Sequence, residues 1–301
     1  MVKRYKIAII GAGTVGTTTA YTLLQQNLNM DILLIDSQED KCLGECMDLS
    51  DALYFSAGSS LKKGQLSDAR TADIIIITAG VPQKPGQKRS DLLSVNYTII
   101  TKLLADLQPL RQDTLIIMVT NPVDILTAVA QKLSGLPVNR IFGAGSFLDT
   151  VRLRTMLGEE LSVQPQALEA MVIGEHGDLQ VPLWSSARVE GNPLVLNEQK
   201  KKVFAEAVRM KAYTIIEHKG STAYGVASCI AAYCRAIIHD LHQSIPVSCY
   251  REQYNLSIGM PARIGRNGIE AVEMPELSKH EAELFAAAAE KLRKVLDSLS
   301  L

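Results

Sequence analysis

The chain has 301 residues, 47% of them apolar, with 31 Lys and Arg against 32 Asp and Glu and a formal net charge of −1. That length allows two lobes or one large domain with a sizeable core, and so much apolar sequence excludes disorder as the main state. The near-neutral balance without a basic run argues against nucleic-acid binding and electrostatic membrane binding, and no stretch of 18 apolar residues exists to span a bilayer.

The first residues, Met1-Val2-Lys3-Arg4-Tyr5-Lys6, lead straight into a strand-like run without the apolar stretch and cleavage site of a secretory signal, so a cytoplasmic protein is expected. Apolar runs then recur. They are Lys6-Ile7-Ala8-Ile9-Ile10, Asp31-Ile32-Leu33-Leu34-Ile35-Asp36, Asp73-Ile74-Ile75-Ile76-Ile77-Thr78, Thr114-Leu115-Ile116-Ile117-Met118-Val119 and a shorter Arg140-Ile141-Phe142-Gly143. Continuous Ile, Leu and Val indicate strands buried on both faces, as in a parallel sheet, and the intervening segments are long enough for crossover helices. The expected fold class is α/β: a doubly wound parallel sheet of the Rossmann type over residues 1–144, followed by an α+β lobe over 145–301.

In that second lobe a helix is expected from Thr150 to Leu161, stopped by Pro165, then short strands near 167–173 and 183–189. Long helices over 198–218 and 223–242 flank Gly220. Three strand-like pieces follow at 245–250, 256–259 and 262–264, and an amphipathic helix runs from Leu277 to the end. Lys200, Lys201 and Lys202 mark a solvated helix face. The five cysteines, at 42, 46, 229, 234 and 249, include no C-x-x-C pair. Cys42 and Cys46 share a helix face, but no second pair completes a ligand set, so reduced thiols and no metal are expected.

Gly11-Ala12-Gly13-Thr14-Val15-Gly16 is a G-x-G-x-x-G after a buried-type strand and before a helical run, the setting that gives the pattern meaning. Gly11 permits the tight turn, Gly13 lets a pyrophosphate approach the backbone, and Gly16 lets helix and sheet pack closely. The helix N-terminus then offers free N–H groups to the phosphates. Asp36, 20 residues after Gly16, ends the second strand; it accepts from ribose hydroxyls and repels a 2′-phosphate, so NAD is expected over NADP. The other reading is a ligand-free glycine turn with a capping acid.

Four further segments stand out. They are residues 79–89, from Ala79-Gly80-Val81-Pro82-Gln83 to Arg89; Thr120-Asn121-Pro122-Val123-Asp124; Leu148-Asp149-Thr150-Val151-Arg152; and Ile173-Gly174-Glu175-His176-Gly177-Asp178. With the glycine loop and Lys219-Gly220-Ser221-Thr222, they resemble the L-lactate/malate dehydrogenase family in identity, order and spacing over nearly the whole chain. The pattern is most similar to the family's bacterial L-lactate branch. The resemblance implies a fermentative, glycolytic oxidoreductase moving a hydride reversibly between NADH and pyruvate, giving L-lactate. It also implies a cofactor pocket with Val15, Lys41, Gly80, Val81, Thr120 and Asn121 beside Gly11, Gly13, Gly16 and Asp36.

Reducing a 2-keto acid needs a hydride donor, a proton donor, a carboxylate clamp and a group that polarises the carbonyl. His176 is the best proton donor because it titrates near neutrality, and it alone among five histidines sits in a turn flanked by glycine and acid. His218, His239, His242 and His280 lie in helical polar settings and read as surface groups. The family's acid that holds the histidine ring falls on Asp149; Asp178 is the rival by proximity, and residues alone do not decide. Arg152, three positions beyond Asp149, shares its helix face, and its planar fork suits a substrate carboxylate. Arg154 points elsewhere, and a surface salt bridge is the alternative for either arginine. Arg89 falls in a polar stretch that reads as a mobile loop; by resemblance this loop closes over substrate and Arg89 polarises the carbonyl. Asn121 at a strand end suits the substrate or the nicotinamide ribose, and Thr222 lines the pocket from the second lobe.

The choice of keto acid turns on Gln83. Malate-handling relatives carry arginine at the matching position, where it pairs with a second carboxylate. Neutral Gln83 cannot offset the desolvation of that carboxylate, which ranks pyruvate and lactate first, a bulkier L-2-hydroxy acid second and malate third. Bacterial relatives that bind fructose 1,6-bisphosphate use an arginine and a histidine; Arg154 matches the first, but Glu169 stands at the second and repels phosphate, which argues against that activation. A homotetramer is expected by resemblance. The non-enzyme alternative is an NAD-binding sensor or scaffold, which has no reason to keep His176, Arg152, Arg89 and Asp149 together.

Overall fold

The structure, a computed structural model, describes residues 3–82 and 89–299, without the side chains of 89–91. Gln83 and the Arg89 side chain therefore lie outside the described residues.

The first half alternates strand and helix: β1 (Tyr5–Ile10), α1 (Thr14–Leu24), β2 (Met30–Ile35), α2 (Glu39–Ala52), β3 (Ser60–Lys63), α3 (Leu66–Ala69), β4 (Ile74–Ile77), α4 (Arg89–Asp106), β5 (Leu115–Met118), α5 (Val123–Leu133) and β6 (Ile141–Gly143). The strands lie parallel in the order β3-β2-β1-β4-β5-β6. Their unbroken apolar sequence follows from burial on both faces. Ile7, Ile9, Ile74 and Ile76 enter one core layer, while Ala8, Ile10, Ile75 and Ile77 enter the other. The expectation of five strands omits β3, an edge strand of Ser60-Leu61-Lys62-Lys63 that pairs only with β2 and needs no apolar run.

The second half comprises α6 (Ser146–Leu161), β7 (Leu168–Glu169), β8 (Val172–Gly174), β9 (Gln180–Pro182), β10 (Arg188–Val189), β11 (Asn192–Pro193), α7 (Glu198–Lys219), α8 (Tyr224–Ile238), β12 (Gln243–Arg251), β13 (Leu256–Gly265), β14 (Gly268–Val272) and α9 (Lys279–Asp297). The main sheet does not stop at β6. Gly143 pairs antiparallel with Ser248 of β12, and the sheet runs on through β13 to β8 and β9, with β14 beside β13. A small separate sheet holds β11, β10 and β7.

Three expectations are corrected here. The helix expected from Thr150 begins at Ser146, directly after Gly145, because Leu148 N–H already bonds back to the Gly145 carbonyl. The helix expected to reach His242 ends at Ile238; Asp240 and His242 take left-handed backbone conformations and turn the chain into β12. The pieces at 256–259 and 262–264 are one strand, β13. It runs through Pro261, whose carbonyl accepts from Glu273 N–H at 2.9 Å, and the hairpin partner β14 had no strong apolar signal. The five cysteines are free and buried, and Lys200 and Lys201 pair with Glu160 and Glu198 on the surface.

Candidate active site

Between β1 and β4 the winding of the sheet reverses, and the connections leaving the carboxyl ends of those strands part into a crevice. A cavity of about 1250 Å³ opens there and reaches α6, α7, α8 and α9. Gly11, Gly13, Val15, Gly16, Asp36, Lys41, Gly80, Val81, Thr120 and Asn121 all line it, as do Asp149, Arg152, His176 and Thr222.

The nucleotide end is built on backbone approaches that only glycine allows. Gly11 has φ +113°, and a methyl on it would meet Thr78 Oγ1 and Ala79 N at 2.7 Å; a methyl on Gly16 would collide with the Gly11 carbonyl. A Cβ on Gly13 would meet nothing within 4 Å, so the N-terminus of α1 stands open to the cavity there. Asp36 braces the loop: one oxygen accepts Ala12 N–H at 2.6 Å and the other Gln38 N–H at 2.9 Å. Asn96 of α4, which the sequence did not single out, ties the next two connections together. Its Oδ1 accepts Val81 N–H at 2.8 Å, and its Nδ2 donates to the Val81 carbonyl at 3.3 Å and the Asn121 carbonyl at 2.8 Å.

At the other end, α6 presents Asp149 and Arg152 one turn apart, both buried. Asp149 Oδ2 lies 2.6 Å from His176 Nδ1, and Asp149 Oδ1 lies 3.4 Å from Arg152 Nη1. Asp178 instead accepts from Tyr213 Oη at 3.4 Å and lies 3.8 Å from Arg209. Gly145 gives the imidazole its room, since a Cβ there would press on His176 Cγ at 2.7 Å. Burial pulls the His176 pKa down, but the charge and hydrogen bond of Asp149, with Asp124 adding, outweigh it, and the net shift is upward. Burial lowers the pKa of Arg152, opposed by Asp149.

Asp124, like Asn96, has a part that sequence reasoning missed. It sits in the first turn of α5 and accepts the His176 backbone N–H at 2.8 Å, from 52 positions away in the chain. Among the described residues Arg154 makes no surface salt bridge: its Nε donates to the Ala170 carbonyl at 2.8 Å, and it feels the charge of exposed Glu169.

A second histidine–carboxylate pair lies on the surface. His242, placed by sequence in a helical setting, stands in a turn with Nδ1 2.7 Å from Glu270 and Nε2 3.7 Å from Asp240. Arg263 and Arg266 flank the same two acids at 3.6 and 2.8 Å.

Known proteins share both the chain and the fold. The family profile described as lactate/malate dehydrogenase, NAD binding domain, matches residues 5–143, and that for the lactate/malate dehydrogenase alpha/beta C-terminal domain matches 146–300. L-lactate dehydrogenase A of Rhizopus oryzae is 38% identical over 98% of this chain and 93% of its own length; L-lactate dehydrogenase of Lacticaseibacillus casei is 38% identical over 97% and 93%. Among solved structures, the minor L-lactate dehydrogenase of Enterococcus mundtii superposes with a TM-score of 0.95 at 33% identity, covering 99% of each chain. Malate dehydrogenase of Cryptosporidium parvum gives 0.92 at 32%, covering 99% of this chain and 100% of its own.

Proposed function

The chain belongs to the lactate/malate dehydrogenase family, and we propose that it reduces pyruvate reversibly to L-lactate with NADH. The observation that carries this reading is the His176–Asp149–Arg152 cluster, buried in the same cavity as the glycine loop. The cofactor is NAD, and the residues present fit it: the open backbone at Gly13 would receive the pyrophosphate and Asp36 would accept from the ribose. Residues 1–144 hold it, and 145–301 supply most of the substrate contacts.

Bound NADH supplies the hydride. Arg152 pairs with the substrate carboxylate in a buried setting where water competes little. His176 gives its Nε2 proton to the carbonyl oxygen, while Asp149 holds Nδ1 and stabilises the charged ring. Asn121 and Thr222 complete the wall, and by resemblance to the family we assign carbonyl polarisation to Arg89 and the choice of substrate side chain to Gln83. Both lactate and malate dehydrogenases share this fold, so the fold does not choose between them. Neutral Gln83 and the curated relatives favour pyruvate over oxaloacetate. Initial rates of NADH oxidation with pyruvate, oxaloacetate and 2-ketoisocaproate test this side by side; pyruvate should lead, and a faster rate with either rival refutes lactate as the product.

The protein works in the cytoplasm as a homotetramer. Met47, Tyr54 and Phe55, exposed at 64%, 89% and 74%, are apolar surface that assembly would cover. Light scattering showing a monomer at micromolar concentration would refute assembly. Fructose 1,6-bisphosphate does not activate it, because Glu169 opposes a phosphate beside Arg154. A pyruvate saturation curve with millimolar effector should overlie the curve without it.

A further inference from the structure

Asp124 is a buried carboxylate, 3% exposed, to which the reaction above gives no task. Its Oδ2 holds the His176 backbone N–H at 2.8 Å. The Ser248 hydroxyl lies near enough to favour the Asp124 charge but outside normal hydrogen-bond geometry, and neither it nor Asp124 Oδ1 has another partner among the described residues. A carboxylate at that depth is costly to ionise unless another group gains from its charge. The groups around it are His176 and Glu175 from the connection after β8, Ser248 and Cys249 from β12, and, beyond the imidazole, Asp149 and Arg152 from α6. The charged form of His176 is the one that gains and that the reaction requires. Burial pushes the Asp124 carboxyl up to about 6, with the Ser248 hydroxyl and His176 N–H opposing, and the Asp124 charge in turn raises His176. The two charges therefore favour each other.

We infer that Asp124 is a positioning residue for proton transfer, fixing the backbone of His176 and favouring its charged ring from the backbone side while Asp149 acts on Nδ1. This rests on His176 being the proton-transfer group. Asp124→Asn keeps an oxygen for the His176 N–H and removes the charge. The measurement is kcat/KM for pyruvate reduction and for lactate oxidation across pH, with NADH fluorescence as the check that the fold survives. In the wild type, reduction falls as pH rises through the His176 ionisation. In Asp124→Asn that limb should move to lower pH by about 0.5–1 unit, a loss of about three- to tenfold on the alkaline side. The acid limb of lactate oxidation should move the same way. An unmoved limb overturns the inference, whereas a wild type with no such limb overturns the His176 assignment beneath it. Should Asp124→Asn fail to bind NADH, Ser248→Ala decides: losing the hydroxyl weakens the Asp124 charge, so the limb should move in the same direction by less, and an unmoved limb again overturns the inference.

Discussion

Two histidine–carboxylate pairs of nearly equal length occupy opposite settings. His176 and Asp149 meet at 2.6 Å at the wall of a deep cavity, and His242 and Glu270 meet at 2.7 Å in solvent. Both histidines are shifted towards the charged form, His176 against the pull of burial and His242 chiefly through its hydrogen bond to Glu270. A hydrogen-bonded pair by itself is therefore no sign of chemistry. At His176 the carboxylate works where water is scarce, a guanidinium waits one helical turn away, and the ring faces space for a substrate. At His242, two arginines already answer the acids, and the solvent screens what remains.

The largest test of that contrast is to delete each imidazole. His176→Ala should lose about 10²–10⁴-fold in turnover while still binding NADH, and His242→Ala should keep the wild-type rate. Near-normal turnover without His176 would place the proton donor elsewhere. Arg152→Ala should mainly raise the KM for pyruvate. Adding charge sharpens the same contrast. Gln83→Arg should move the ratio of kcat/KM for oxaloacetate over pyruvate up by about 10²–10⁴, because leaving one partner of a buried ion pair unmatched costs roughly 3–5 kcal/mol. Ser244→Arg, at the exposed start of β12 near His242, should leave the ratio where it was. A ratio that barely moves in Gln83→Arg removes the main support for lactate over malate.

Smaller effects are expected from Asp36→Asn, which removes the charge and keeps one oxygen for only one of the Ala12 and Gln38 N–H groups. Discrimination against NADPH should fall by about tenfold or more, and equal wild-type use of NADH and NADPH would contradict the role given to Asp36. The smallest effect belongs to the surface pair. Because the His242 pKa is raised on folding, its contribution to stability is present below the unfolded value near 6.5 and is lost as pH rises through the folded value. The thermal midpoints of wild type and His242→Ala should therefore differ slightly in mild acid and converge in mild alkali; a gap that widens with pH would mean the pairing acts differently.

What the sequence revealed follows from how far each signal travels. The parallel strands are legible because burial on two faces leaves unbroken Ile and Leu, as in Ile74–Ile77. Edge elements such as β3 are polar enough to vanish among loops. Arg152 and Asp149 share a helix turn, so their spacing is readable, whereas the ring partner of His176 had to be borrowed from a resemblance because Asp178 lies closer in sequence. Asp124 stood in plain view within Thr120-Asn121-Pro122-Val123-Asp124, but its partner is 52 residues away and meets it only through folding. His242 shows the reverse failure: helical-looking composition hid a turn set by two left-handed residues.

The uninterrupted sheet bears on how this protein can be handled at the bench. Gly143 hydrogen-bonds its strand to that of Ser248, and Ser257 on β13 donates at 2.5 Å to Gln131 of α5 in the buried interior. A gene cut after codon 144 would thus yield two polypeptides, each with a freshly bared strand edge and a severed polar contact. Such edges recruit other chains, so either piece made alone should collect in inclusion bodies, and the two should do better when produced together. Anyone wishing to carve out the nucleotide-binding half as a cofactor biosensor would have to redesign the rim of β6 first, placing lysine or proline where β12 now lies.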